Sequence, residues 1–333
     1  MKKVLLDANK NFYKANMHCH SILSDGRMTI EELKEHYMNN GYSIIAFSDH
    51  EHLIDNSHMN DENFLAITSC ELAIKEFENL STLKKRDMKC CHFNLYAKEP
   101  TNVDTPCYSS VYDHFKKNIT EDMIVHSCGE YQRSYSTEGM NEIIRIANEK
   151  GFLVSYNHPR WSLESPMDYL RYKGLWAVEI HNTSTHSTGL SGNEVHVYED
   201  FLREGERIAC VAGDDNHSIN TTCGGWTMIN AEKLDYQSVI EAMEAHNIYT
   251  STGPEIKELY IEDDVAYMTF AKGVKAVMIM NGRTAFTKLA ENPEGTNTVS
   301  FEIPREGYTW IRFEVIDAAG EKANTCAYFL DEV

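Results

Sequence analysis

Residues 17–50 read MHCHSILSDGRMTIEELKEHYMNNGYSIIAFSDH. The stretch holds one strand–helix–strand step with metal-type side chains at both strand ends. His18 and His20 alternate at the end of a first strand, so both face the same side. Thr29-Ile30-Glu31-Glu32 is a capping-box pattern that opens a helix, and Gly41 closes it. Tyr42 to Phe47 reads as the next strand, and Asp49-His50 follows directly.

Outward from this step the same rhythm runs over about residues 13–252. Phe64 to Ser69, Phe93 to Tyr96, Phe152 to Tyr156, Leu175 to Ile180 and Arg207 to Ala212 read as strands. Helices open at Thr137, at Ser165-Pro166 and at Asn193, and Gly151, Gly174 and Gly205 end them. Asp235 to His246 is a last helix before Ile248 to Thr250. Strands alternating with helices predict an α/β fold with a parallel sheet, most simply a barrel. Residues 98–136 read as an irregular insertion with a short helix near Val111 to Lys117. After Ser251-Thr252-Gly253-Pro254 the texture changes to strand-like alternation: Lys257 to Ile261, Val274 to Met280, Val299 to Ile303, Trp310 to Ile316. Turn signals separate these strands, so a first unit over 1–252 and a small all-β, sandwich-like module over 256–333 are expected.

With 333 residues and 42% hydrophobic content, the chain can bury a core without help from metals. Its 51 acidic and 31 basic side chains give a net charge of −20, which argues against a grip on long nucleic acid. A small phosphorylated ligand stays compatible, because bound cations invert the field inside one pocket. No apolar run approaches a membrane span, and Lys2-Lys3 precede only Val4-Leu5-Leu6, so no signal peptide and no membrane association are expected. Nine cysteines without a CxxC pair fit a reducing, cytoplasmic setting better than a disulfide framework. Nothing in the sequence indicates an oligomeric state.

His50, Glu71, His158, Asp215 and His217 each follow an apolar run, as His18 and His20 do. In a parallel barrel those strand ends converge at one mouth. A single such histidine is as easily a core residue bound to a backbone group, and His36, His114, His196 and His246 in helical stretches read as solvated. The full set is different. So many imidazoles and carboxylates together would be costly without bound cations. The donors are nitrogen and oxygen, which suits zinc, manganese or iron. Cys19 alternates away from the site and reads as core.

His18-Cys19-His20-Ser21 with Ser24-Asp25-Gly26, Ser48-Asp49-His50, Asn157-His158-Pro159 and Gly213-Asp214-Asp215-Asn216-His217 resemble the four motifs of the PHP (polymerase and histidinol phosphatase) family. The resemblance covers about residues 12–252. It implies a distorted seven-stranded (β/α) barrel with two or three divalent metals at its mouth and hydrolysis of phosphoesters. By motif, His18, His20 and Asp215 would hold one metal, His92 and His158 a second with Glu71 bridging, and Asp25, His50 and His217 a third. The aspartate at Asp25 looks more like the small-nucleotide phosphatase branch, and Asp214 stands where the family motif usually has serine. His92 begins its strand rather than ending it, which leaves His126 as an alternative.

The expected reaction is hydrolysis of a phosphomonoester, or of a small cyclic or diester phosphate, by a metal-bridging hydroxide held at Glu71 and Asp215. Three divalent ions against the carboxylates of Asp25, Glu71 and Asp215 and one hydroxide leave about +2, which balances a phosphate dianion, whereas two ions leave about zero. Three metals are therefore favoured. Arg160 is the expected phosphate contact, His186 a contact or proton donor to the leaving group, and Asn182 an orienting residue. Asp49 reads as a partner of the ligands, while Trp161 and Trp226 either stack on a base or pack under a loop. Competing readings are a 5′→3′ exonuclease or oligonucleotide nucleotidase, a histidinol phosphatase (disfavoured by Asp25), and a non-catalytic PHP binding module. Such a module would typically have lost ligands.

Overall fold

The computed structural model describes residues 2–76 and 88–333. The chain opens with β1 (Lys2–Leu6), β2 (Asn11–Cys19), α1 (Ile30–Asn39), β3 (Ile44–Phe47), β4 (Leu65–Lys75) and β5 (Cys90–Ala97). It continues through α2 (Thr137–Glu149), β6 (Phe152–Tyr156), α3 (Pro166–Tyr169), β7 (Ala177–Asn182), α4 (Thr183–Ser187), α5 (Val195–Arg203) and β8 (Ala209–Gly213). Then come β9 (Trp226–Ala231), α6 (Tyr236–Glu244), β10 (Ile248–Ser251), β11 (Glu255–Glu262), β12 (Val265–Ala271), β13 (Lys275–Met280) and β14 (Ala285–Leu289). The last strands are β15 (Thr296–Glu302), β16 (Trp310–Ile316), β17 (Lys322–Thr325) and β18 (Tyr328–Phe329).

The capping box at α1 forms as its sequence predicts: Thr29 Oγ1 accepts from Glu32 N–H, and Glu32 Oε2 accepts from Thr29 N–H at 2.9 Å. The helix buries Leu33 and Tyr37 against Ile45 and Phe47 of β3, which fixes the strand ends on either side of it.

The sheet is mixed, not parallel throughout. β2, β3 and β4 run parallel, as do β6, β7 and β8, but β5 is antiparallel to both β4 and β6. Lys75 faces Cys90 and Ser69 faces Tyr96, a register in which β5 doubles back on β4. Antiparallel neighbours can join directly, whereas a parallel return needs a crossover, usually helical. The end of β8 comes back to β2, where Asp215 N–H donates to His18 O at 2.8 Å and Cys19 bridges Asn216. On its other side β2 pairs with β9, a strand the sequence rhythm did not reveal, and β9 pairs with β10.

From β10 the large sheet passes through β17, β16 and β13 to β14. A second sheet, ordered β1-β11-β12-β15, packs against it over Leu5, Leu259, Phe270, Met278, Phe313 and Val315. The C-terminal part is all-β, and β1 from the other end of the chain is one of its strands. Residues 98–136 hold short 3₁₀ turns over Ser110–Phe115 and Glu121–Met123. Just beyond, Arg133 ties this segment to the body by a buried ion pair to Glu51 at 2.6 Å. No described helix is long and apolar enough to cross a membrane.

Candidate metal centre

Nine side chains from β2, β4, β5 and the segments that follow β2, β3, β6 and β8 meet in one place. They fall into three overlapping groups: His18, His20, Glu71 and Asp215; Glu71, His92 and His158; and His20, Asp25, His50 and His217. Each residue offers a ligand atom within 4.8 Å of the others in its group. Glu71 and His20 are each shared by two groups.

Glu71 sits at the middle. Its Oε1 lies 2.9 Å from His92 Nδ1, 3.0 Å from His158 Nε2 and 3.3 Å from His18 Nε2. Its Oε2 lies 3.2 Å from His50 Nδ1 and 3.4 Å from His20 Nε2. Asp215 Oδ1 is 3.1 Å from His20 Nε2 and 3.5 Å from His18 Nε2. Asp25 Oδ1 is 3.3 Å from His217 Nε2 and 3.6 Å from His50 Nε2. His158 (φ 27°) and Asp215 (φ 50°) hold left-handed backbone conformations that are rare for residues with a side chain. Such outliers concentrate where geometry is set for function.

His92 explains itself through the reversal of β5. The N-terminal end of an antiparallel strand lies beside the C-terminal ends of its parallel neighbours, so His92 opens its strand and still reaches the cluster. His126 lies in the insertion with its ring 4.1 Å from that of Tyr108, outside all three groups.

The electrostatics describe a cluster short of positive charge. Burial alone would raise the Glu71 carboxyl, but the charges of His92 and His18 and the hydrogen bond from His158 outweigh it and hold it well below the usual range. Burial is likewise overcome at Asp215, by His18 and His20, and at Asp25, by His217 and His50; both carboxyls are depressed. Burial pulls His20 down, yet Asp215 and Glu71 push it up to about 10, and Asp215, Glu71 and Glu179 raise His18 in the same way. His50 is the exception, lowered to about 3 by burial and by the neighbouring charge of His20. Bound cations would meet the same demand for positive charge. His20 Nδ1 and His50 Nδ1 are buried without a hydrogen-bond partner among the described residues. Convergent buried nitrogens and carboxylates with unmet capacity fit divalent ions, and the all-nitrogen-and-oxygen set fits the expected metals.

Glu179, in β7, was not singled out by sequence reasoning. Its Oε1 accepts from His18 Nδ1 at 3.0 Å, and its Oε2 accepts from His158 N–H at 2.9 Å and from Asn182 Nδ2 at 3.0 Å. This partner turns His18 Nε2 toward the cluster. The readable signal was a carboxylate inside an otherwise apolar strand, because a buried charge needs partners. Asn157 donates to Glu71 Oε1 at 3.1 Å. Asp49 is not at a ligand position: it accepts from Ser21 N–H at 2.8 Å, Ser21 Oγ at 2.7 Å and Ser24 Oγ at 2.6 Å, stapling the loop that carries Asp25. Asp214 is buried and accepts from Tyr37 Oη, Thr183 Oγ1 and the N–H groups of Cys223 and Gly224, bracing the loop after β8. Cys19 points into the core beside α1.

A cleft of about 370 Å³ opens over the cluster, lined by Lys75, Phe115, Trp161, Ser184 and Thr188 besides the candidate ligands. Phe115 stacks on His50 at 4.2 Å, and Trp161 lies 5.0 Å from both His92 and His158. None of the three expected substrate contacts lines the cleft. Arg160 is exposed, with its N–H bound to Glu194, and does not line the cleft. His186 lines a separate cavity with His181, Thr252, Glu321 and Lys322. Both expectations rested on nearness in sequence, and the turns after His158 and Asn182 carry these side chains outward. Asn182 is buried below the cleft, donating to Glu179 and, at 3.3 Å, to Asp215 Oδ2, so it orients ligands and does not line the cleft. Trp226 packs by α1, with Lys14 over its ring. Among the described residues, the cation that does line the cleft is Lys75.

No family model and no curated protein sequence matches the chain. Among solved structures, a two-domain protein from Bacteroides vulgatus containing a predicted PHP-like metal-dependent phosphoesterase is similar over 98% of this chain and 96% of its own, at 14% identity and a TM-score of 0.50. A lesion-specific endonuclease from Pyrococcus furiosus is similar over 70% of this chain and 56% of its own, at 16% identity and a TM-score of 0.44. The first likeness, which takes in both the mixed α/β part and the all-β part, is one of fold.

Proposed function

We propose that this chain is a metal-dependent phosphoester hydrolase of the PHP type, acting on a small phosphorylated molecule. The observation that carries the reading is the set of three groups joined through Glu71 and His20 at the floor of one cleft. In this reading β2 to β8 form a distorted seven-stranded barrel, closed where Asp215 N–H meets His18 O. His18, His20, Glu71 and Asp215 would hold one divalent ion, Glu71, His92 and His158 a second, and Asp25, His50 and His217 a third.

Bound divalent ions would supply Lewis acidity, activating water and neutralising phosphoryl oxygens. The chain supplies the rest. Glu71 and Asp215 fix spacing and charge at the centre, while Glu179 and Asn157 lock the rotamers of the ligands. Phe115 and Trp161 wall the cleft and limit water around the reacting group. Glu179, itself buried, adds a carboxylate to the local charge count, which strengthens the case for three ions over two. The cleft volume and the net charge of −20 both favour a small substrate over a long polyanion.

The test is metal analysis of the purified protein joined to a phosphate-release screen over mononucleotides, bisphosphates, cyclic phosphates and sugar phosphates. Manganese-, zinc- or iron-loaded protein is expected to release phosphate from a subset, and Asp215→Asn to abolish release with the circular dichroism spectrum kept. Metal-loaded protein that releases nothing from any class, or an active D215N variant, would overturn the reading.

A further inference from the structure

We infer that Lys75 recognises a second anionic group on the substrate, beyond the phosphoryl group at the metals; the inference rests on the phosphoesterase reading for its choice of probes. Among the described residues Lys75 is the one Lys or Arg lining the cleft. It shares β4 with Glu71, four residues on, so both project from the same face of that strand. Their Cα atoms are about 13 Å apart at 3.3 Å per residue. The ammonium group therefore stands toward the rim, not over the reacting phosphorus.

Its position is defined from two sides. Lys75 N–H donates to Tyr112 Oη at 3.0 Å, and Lys75 Nζ lies 4.9 Å from the ring centroid of Phe115 and 5.6 Å from that of Tyr112. Phe115 in turn stacks on His50. The wall thus runs from candidate ligand to aromatic ring to cation, one ring-width from the third metal group. The cleft also contains the carboxylates of Asp25, Glu71 and Asp215. Even so, among the described residues no ion pair engages the Lys75 ammonium, which leaves all three of its donors for a ligand. A phosphomonoester carrying a carboxylate or second phosphate a few bonds from the scissile ester would meet the metals with one end and Lys75 with the other. A charge-assisted contact in such a cleft discriminates by roughly tenfold or more.

Metal-loaded wild-type, Lys75→Met and Lys75→Arg proteins are titrated calorimetrically with 3-phosphoglycerate and glycerol 3-phosphate. The two share the phosphomonoester and differ by a carboxylate against a hydroxymethyl group. Phosphate release from each is followed in parallel. Wild type is expected to prefer 3-phosphoglycerate about tenfold or more. K75M should bring that ratio to about one, K75R should keep it, and the change should fall in KM and not in kcat. No preference in wild type, an unchanged ratio in K75M, or a kcat loss common to both ligands would overturn the inference. Binding that shows the preference with no phosphate released from either compound would leave Lys75 its role and count against the hydrolase reading instead.

Discussion

Replacing Glu179 by glutamine keeps the shape of the side chain and converts one acceptor oxygen into a donor. Three donors converge on this buried carboxylate: His18 Nδ1–H on one oxygen, His158 N–H and Asn182 Nδ2 on the other. If the new amide NH₂ faces His18, that ring either loses its acceptor or flips to the tautomer whose Nε2 carries the proton and cannot bind a metal. If it faces the other way, two donors are left unmet beside His158. Each unmet buried donor costs about 1–3 kcal/mol, and losing such an orienting partner typically costs about 10–100-fold in metal affinity or activity. E179Q is therefore expected to bind metal about 10–100-fold more weakly in chelator competition, with phosphate release falling in step and secondary structure unchanged. Glu194→Gln is the control, because Glu194 is buried and accepts from Arg160 N–H at 3.0 Å without touching a candidate ligand. Wild-type affinity and turnover in E179Q, or an equal loss in the control, would refute the claim that Glu179 orients His18.

Asp25→Asn should lower the bound-metal count by about one per chain while Glu71, His92 and His158 keep theirs, as read by elemental analysis. Chelator-treated protein should be most stable near neutral pH in thermal melts. His50, lowered to about 3, stays neutral in the fold while the unfolded chain takes up its proton near pH 6.5, so stability falls as pH drops through that window. His20, raised to about 10, contributes stability that is full below pH 6.5 and lost as pH climbs toward 10. Asp214→Ser should cost at least about 2 kcal/mol in urea unfolding, since it strands several of the donors that brace the loop after β8, with metal content retained. Arg133→Met should destabilise by about 3–5 kcal/mol by leaving Glu51 buried and unpaired.

That the candidate ligand side chains converge was legible because strand ends are marked twice, by the close of an apolar run and by the residue types that follow it. His18, His20, His50, His158 and Asp215 needed nothing else. The direction of β5 was not written in that code: an apolar run looks the same in either direction. Substrate contacts were the least legible. Arg160 and His186 stand beside ligand-bearing segments in sequence, but after a strand ends the backbone turns, and neighbours two residues apart face different ways. Lys75 lies beyond the motif residue Glu71 on a strand longer than its apolar core predicts, so it reaches the cleft from a position no motif marks. Pairings such as β1 with β11 join residues too far apart for any local pattern to report.

That last pairing bears on how the molecule is made. Lys2 to Leu6 find their partners at Leu259 to Glu262, and β10 finds its outer neighbour only at Ala323 to Thr325. At about 5–20 residues per second, a ribosome holds the first strand without a partner for on the order of ten seconds or more. Throughout that interval β1 is an unpaired edge, a template for wrong associations. Lys2 and Lys3 at its start are exposed charges of the kind that discourage wrong pairing at such an edge. The closing of the C-terminal sheets on β1 then becomes the late, slow, long-range step of folding.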